Sequence, residues 1–281
     1  MPTMSYHVRD LDSAAQTLLA IHAELAGCRD LRPGPVVDAT FRRLVRLAVE
    51  TDDEAARALL DRPAVRAVGD ELRAFSAEGE HQLEVAWADR VAASADPVTE
   101  VRCFPFVDNY RQLHAMEQGA LEQLAGGGVP SDRVAVVGSG PLPLTALLLA
   151  AGGAHVDNLD RDPVALAASR RVVDALGAGG LGFVVADAGG PADVDLAPYG
   201  LVVLAALAGP TPAEKARVVR HVAASMAPGA VLLARSARGM RTLLYPEVDL
   251  GAVTGLDVLG TVHPEGEVVN SVVVARKAKG R

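Results

Sequence analysis

Residues 133–137, Arg-Val-Ala-Val-Val, run directly into Gly138-Ser139-Gly140-Pro141. A short Val/Ala run of this kind reads as a strand buried on both faces. Two glycines one residue apart then allow the backbone to approach a ligand closely, and Pro141 suits the first turn of a helix. Strand, glycine turn and helix in that order are the first βα unit of an open α/β sheet, in which ligands bind beyond the carboxyl ends of the strands.

The rest of the chain fits around that unit. From Gly126-Gly127-Gly128-Val129-Pro130 onward, short Val/Leu/Ala runs alternate with helical segments, the pattern of a parallel sheet covered on both faces. Strands are expected at Arg133–Val137, His155–Asp160, Gly182–Ala186, Leu201–Ala206, Val231–Arg235, Leu256–His263 and Val268–Ala275. Only Pro264-Glu265-Gly266-Glu267 separates the last two. That is too short for a parallel crossover, so they should form an antiparallel hairpin at the sheet edge, an ending common to S-adenosylmethionine-dependent methyltransferase folds. Before residue 125 the apolar residues recur at three- and four-residue intervals, as in Leu18, Leu19, His22 and Leu25. Breaks at Arg32-Pro33-Gly34-Pro35, Arg62-Pro63 and Ala95-Asp96-Pro97 divide that half into about five helices. The expected fold is α/β: a Rossmann-like sheet of the class I methyltransferase type (126–281) behind an all-helical N-terminal domain (1–125).

Composition narrows the function. The net charge of −8 argues against nucleic-acid binding, which needs a clustered Lys/Arg excess; the basic tail from Arg276 to Arg281 reads as a solvated end. Two isolated cysteines, Cys28 and Cys103, suit neither a disulfide framework nor a zinc cluster and point to a reducing compartment. The start from Met1 to His7 has no signal pattern, and the longest apolar stretches are too short to span a bilayer. A cytoplasmic enzyme without membrane partners is expected.

Residues at the carboxyl ends of the strands indicate the ligand. Asp160 ends the second strand about twenty residues beyond the glycine turn, where a carboxylate accepts both ribose hydroxyls of an adenosine ligand. Asp162 is the neighbouring alternative, and its position beside Pro163 also suits a helix N-cap. Asp187 comes after the third strand near the place of an adenine amino group, and Ala206, ending the fourth, completes a binding set of Gly138, Ser139, Gly140, Pro141, Asp160, Asp187 and Ala206. Dinucleotide sites usually carry a third glycine where this chain has Pro143, which favours S-adenosylmethionine over NAD.

Several spaced motifs give this chain a family likeness. Val137-Gly-Ser-Gly-Pro-Leu-Pro-Leu-Thr145, Phe104-Pro-Phe-Val-Asp-Asn-Tyr110, Met226-Ala-Pro-Gly-Ala-Val231, Arg235-Ser-Ala-Arg-Gly-Met-Arg241 with Leu244-Tyr-Pro246, and His263-Pro264 with Glu267-Val-Val-Asn-Ser-Val-Val273 resemble segments of the nicotianamine synthases. The likeness runs from about Leu83 to Lys277. It implies transfer of the 3-amino-3-carboxypropyl group of S-adenosylmethionine, a co-substrate, to an amino nitrogen, with release of methylthioadenosine and no catalytic metal. It further implies that Glu84 is the base and that Tyr110 orients the amine or relays its proton. Glu80, one helical turn from Glu84, is the next carboxylate to consider; Arg235 and Arg241 are candidates to hold a substrate carboxylate, Arg241 alternatively neutralising Glu247 or Asp249. Trp87 reads as a core or interface anchor, and His114 as a packing residue. The segment at Phe104 lacks the plant motif's consecutive tyrosines and the loop at Ala188-Gly189-Gly190 is shortened. These departures leave open a small-molecule amine or amino-acid acceptor, or ring closure of S-adenosylmethionine to azetidine-2-carboxylate; an ordinary methyltransferase is the remaining alternative.

Overall fold

The computed structural model describes residues 10–126, 132–190, 194–251 and 253–279. Gly127 to Pro130 of the expected boundary segment, the start through His7, and Gly280 and Arg281 of the tail lie outside the described residues.

Six helices come first: α1 (Leu11–Ala26), α2 (Pro35–Glu50), α3 (Asp53–Leu60), α4 (Pro63–Ala93), α5 (Pro97–Arg102) and α6 (Val107–Ala125). Their starts are written locally. The side chains of Asp10, Asp52 and Asp96 accept hydrogen bonds from the first-turn N–H groups of α1, α3 and α5, and α2, α4 and α5 begin with proline. The count is six rather than about five because Asp52 caps a new helix immediately after α2 and the turn at Cys103–Phe106 separates α5 from α6.

The second half alternates β1 (Arg133–Val137), α7 (Leu144–Ala151), β2 (His155–Asp160), α8 (Pro163–Leu176), β3 (Leu181–Val185), β4 (Leu201–Leu204), α9 (Pro212–Ser225) and β5 (Val231–Ser236), then a 3₁₀ turn (Gly239–Leu243), β6 (Leu256–Val262) and β7 (Ser271–Lys277). The seven strands lie in the order β3-β2-β1-β4-β5-β7-β6, with β1 to β5 parallel and β7 inserted antiparallel between β5 and β6. The order reverses at β1 and β4, which opens the crevice where such sheets bind ligands. Strand ends shift from expectation. β4 stops at Leu204 because the chain turns just beyond it, Ala208 donating its N–H to Ala205 O, so Ala206 lies in a turn. Val268, Val269 and Asn270 precede β7 rather than forming its start.

Side-chain alternation splits the core across the sheet. Ala135, Val137, Val202, Leu204, Leu232 and Ala234 face α9, through its Val218, Val219 and Val222. Val134, Val136, Val156, Leu201, Val203 and Leu233 face the other way, onto α7 and onto Leu113 and Leu121 of α6. By packing, then, α6 covers the sheet, while α1 to α3 and the first half of α4 build their own core, joined by Met240, Leu243 and Leu244 of the chain after β5. The far half of α4 places Trp87, Ala88 and Val91 against Ala168 and Val172 of α8. At 31 residues, roughly 45 Å at 1.5 Å per residue, α4 reaches across the carboxyl edge of the sheet, anchored at both ends.

Lys215 of α9 is 1% exposed, and its ammonium donates to Ala205 O at 2.8 Å. Burial pulls it down from 10.5 to about 7. Between these values the unfolded chain holds a proton the folded chain lacks, so this group makes stability rise with pH across that window. Measured by urea midpoints, the stability of the native protein relative to Lys215→Met is expected to increase from pH 7 to about pH 9; a difference independent of pH would refute the assignment.

Candidate active site

The crevice at the carboxyl ends of β1, β2 and β4 opens into a cavity of about 1240 Å³, covered by α4 and α6. Ligand pockets commonly measure about 300–1,000 Å³, so this one has room for more than a single nucleoside-sized molecule.

Its floor is the turn after β1. Gly138 and Gly140 have φ of 78° and 68°, the left-handed region that side chains disfavour. Contacts exclude a side chain as well: a Cβ on Gly138 would lie 2.7 Å from Ala208 Cβ, and one on Gly140 would lie 2.6 Å from Glu84 Oε2. Gly138 N–H donates to Leu159 O at 2.8 Å, tying the turn to β2. Asp160 accepts from Gly140 N–H at 2.9 Å through Oδ2 and from Asp162 N–H at 3.0 Å through Oδ1. It therefore braces the glycine turn against the start of α8 while still lining the cavity. Asp162 caps α8 through Val164 N–H at 2.8 Å. Asp187 is an exposed residue of the cavity rim whose Oδ1 accepts from Gly189 N–H at 2.9 Å.

The roof carries two carboxylates of α4, each matched to a tyrosine from another element. Tyr110 of α6 donates to Glu84 Oε1 at 3.0 Å, and Tyr245, beyond the 3₁₀ turn, donates to Glu80 Oε2 at 2.6 Å. Phe104 stacks edge-on against both Trp87 and Tyr110, with ring centroids 5.7 and 6.3 Å apart, which fixes the Tyr110 ring. Burial pushes Glu84 well above the usual carboxylate range, the charges of Glu80 and then Asp160 add to this, and the Tyr110 hydrogen bond opposes it. Glu80 is raised by burial and held back by Tyr245 and Arg235. Both tyrosines are pushed up, first by burial and then by these carboxylates, so each stays a donor.

Arg235 has partners within the protein that the sequence does not show. It is 6% exposed on the cavity wall, and its guanidinium is engaged: Nε donates to Glu117 Oε1 at 2.7 Å, and Nη2 to Glu117 Oε2 at 3.3 Å and Thr145 Oγ1 at 2.9 Å. It serves as a buried tie between β5, α6 and α7, with Cζ 5.9 Å from the Tyr110 ring centroid. Arg241 does not line the cavity. Its Nη2 donates to Gly266 O at 3.1 Å rather than to Glu247 or Asp249.

The cavity thus brings together Gly138, Ser139, Gly140, Pro141, Asp160, Asp187, Ala206, Glu80, Glu84, Tyr110 and Arg235, and leaves out Arg241. The sequence assigns no role to Glu117, Thr145, Tyr245 or Asn270, although the last three lie inside the matching motifs. Tyr245 carried a usable signal, being one of four tyrosines in the chain; nothing local marks Glu117 as the partner of an arginine 118 residues away. Asn270 is 7% exposed on the cavity wall, and among the described residues neither its Nδ2 nor Ser139 Oγ has a hydrogen-bond partner. A polar ligand would satisfy such groups.

Comparison with known proteins matches residues 9–281 to the family model described as nicotianamine synthase protein. The chain is 38% identical to nicotianamine synthase 2 of Oryza sativa subsp. japonica over 97% of its own length and 85% of the rice protein. It is also 38% identical to nicotianamine synthase 9 of Hordeum vulgare, covering 96% of this chain and 80% of the barley protein. A crystal structure of a glutamate-to-glutamine mutant of MtNAS in complex with S-adenosylmethionine aligns with a TM-score of 0.80 at 26% identity, over 94% of this chain and 98% of that one. A second structure, of MtNAS in complex with MTA and tNA, aligns with a TM-score of 0.80 at 25% identity, over 95% and 98% of the two chains.

Because Gly140 has both a left-handed φ and Glu84 Oε2 against it, Gly140→Ala must move either the turn or the carboxylate. A displacement near 1 Å at reacting groups costs about 100-fold in rate. The variant is expected to lose turnover of S-adenosylmethionine on that scale while melting only a few degrees lower; unimpaired steady-state turnover would show that the close approach is dispensable.

Proposed function

The chain belongs to the nicotianamine synthase family, and from that premise we propose that Glu84, backed by Tyr110, is the base that readies an amine for transfer above the glycine turn. The chain is an S-adenosylmethionine-dependent transferase that moves the 3-amino-3-carboxypropyl group, with S-adenosylmethionine as co-substrate. In this reading the turn at Gly138-Ser139-Gly140-Pro141, with Asp160, Asp187 and Ala206, holds the adenosine. An amine nitrogen attacks the γ-carbon of the amino-acid arm, the carbon–sulfur bond breaks, and its electron pair returns to sulfur to give neutral methylthioadenosine. The proton leaves the nitrogen for Glu84.

The observation that carries this reading is Glu84 itself. Its Oε2 lies directly over Gly140, its Oε1 is oriented by Tyr110, and its affinity for a proton is raised by burial and by Glu80. A base in that state accepts a proton from an ammonium near neutral pH far better than an ordinary carboxylate. The volume of about 1240 Å³ favours a small-molecule amine or amino-acid acceptor beside the donor over self-cyclisation, which needs room for the donor alone. The helices over the crevice exclude water from the sulfonium. Among the described residues no helix is long and apolar enough to cross a membrane, and with two unpaired cysteines the proposed setting is the cytoplasm.

Incubation of the purified protein with S-adenosylmethionine and amino acids should release methylthioadenosine, detected by mass spectrometry; adenosylhomocysteine in its place would overturn the reading. Glu84→Gln is expected to lower kcat by about 100-fold or more, the scale of a lost general base, with little change in S-adenosylmethionine affinity. The rate should rise with pH through a Glu84 limb displaced above the ordinary carboxylate range, because only the deprotonated form accepts the proton. A pH profile without that limb would assign the base elsewhere.

A further inference from the structure

Every residue from Ala205 to Thr211, the whole link between β4 and α9, lines the cavity. Three contacts shape this loop. Ala205 N–H donates to Val137 O at 3.0 Å, Ala208 sets its methyl group against Gly138, and Gly209, with φ of 80°, lies so close on the first turn of α9 that a Cβ there would meet Lys215 N at 2.7 Å. A fourth contact comes from a long side chain. Lys215, in that first turn, sends its ammonium back to Ala205 O, ten residues away, at 2.8 Å. The loop is thereby closed from behind, by a residue that does not itself line the cavity.

The cation stands in an unfavourable place. An ammonium carries three N–H donors, and among the described residues Ala205 O is its one acceptor. Burial penalises its charge, and the first turn of a helix is the end where the helix dipole disfavours a cation. Nor does Ala205 O depend on it, because Ala208 N–H also donates there at 3.2 Å. An apolar side chain of similar length would fill the space with less penalty. It would not tie α9 to the loop. Resting on the placement of adenosine beside Ala206 in the transfer reading above, we infer that Lys215 is a positioning residue that holds the β4–α9 loop against the glycine turn in the shape that fits adenosine. Adenosine is the part that S-adenosylmethionine and methylthioadenosine share. Lys215 therefore sets the affinity for donor and product alike, and leaves the acceptor and the transfer step unaffected.

Lys215→Met tests this by calorimetry with S-adenosylmethionine and with methylthioadenosine, each without acceptor, and by steady-state release of methylthioadenosine in the presence of amino acids. Both ligands are expected to bind about tenfold more weakly than to the native enzyme, the scale of one lost charge-assisted contact. At saturating donor, kcat should stay within about threefold of the native value. The variant should melt no lower than the native protein at pH 7, since it sheds a buried charge. Removing a positive charge would by itself strengthen the binding of a cationic sulfonium, so a loss shared by the neutral product reports position rather than charge. Gly209→Ala, which forces the loop off α9, should weaken both ligands likewise. Unchanged affinity in either variant overturns the inference, as does a loss confined to one ligand or to kcat. A Lys215→Met protein that does not fold also overturns it, because the lysine would then be a requirement of the fold alone. A native enzyme that binds both ligands yet releases adenosylhomocysteine removes the transfer reading and leaves this one, whereas one that binds neither removes both.

Discussion

The site depends on a missing side chain. Glu84 Oε2 occupies the space that a Cβ on Gly140 would need, at 2.6 Å, so the carboxylate lies against bare backbone. Every surrounding element maintains that approach. Asp160 braces the turn from below through Gly140 N–H, Tyr110 orients the carboxylate from the side, and α4 is pinned at one end in the helical core and at the other against α8. Placing a carboxylate in this position removes it from water, and the same desolvation raises its affinity for a proton. Stability and position are here in direct tension, because a carboxylate stands where the fold would more easily bury an apolar side chain.

The tie between Arg235 and Glu117 moderates that tension. At 6% and 2% exposure, the pair is costly to desolvate, and an ion pair this deep is weak evidence for stability on its own. Its position gives it a different value. It joins β5 to α6, the helix carrying Tyr110, and reaches Thr145 of α7, so the tyrosine is registered against the sheet rather than against a mobile loop. Because its charge is already balanced by Glu117, Arg235 tempers Glu80 and Glu84 without neutralising them.

Much of this is legible from residues alone where the cause is local. Strand, glycine turn and helix announce themselves because the constraint on φ and the alternation of side chains act over a few residues, and proline and aspartate mark helix starts for the same reason. Periodicity identifies α6 as a helix, but it does not reveal that Leu113 and Leu121 pack on the sheet while the preceding helices form a separate core. The apolar runs overextend strands at Ala206 and Val268, since hydrogen bonding to a neighbour decides where a strand stops. The motif likeness brings Glu84 and Tyr110 forward. Arg235 stands out in sequence, but its bonds to Glu117 and Thr145 do not, because those partners come from distant helices.

By itself the sequence determined the βα turn, the sheet class, the acids at the strand ends and the two carboxylates one turn apart on a single helix, all of them products of backbone geometry and spacing within one segment. Only the tertiary structure decided that Glu84 rests on Gly140, that Tyr110 and Tyr245 each serve one glutamate, that Glu117 claims Arg235 and that Arg241 stays outside the cavity. The physical reason is that desolvation and charge pairing depend on which groups converge from distant parts of the chain, and no pattern along the chain encodes that convergence.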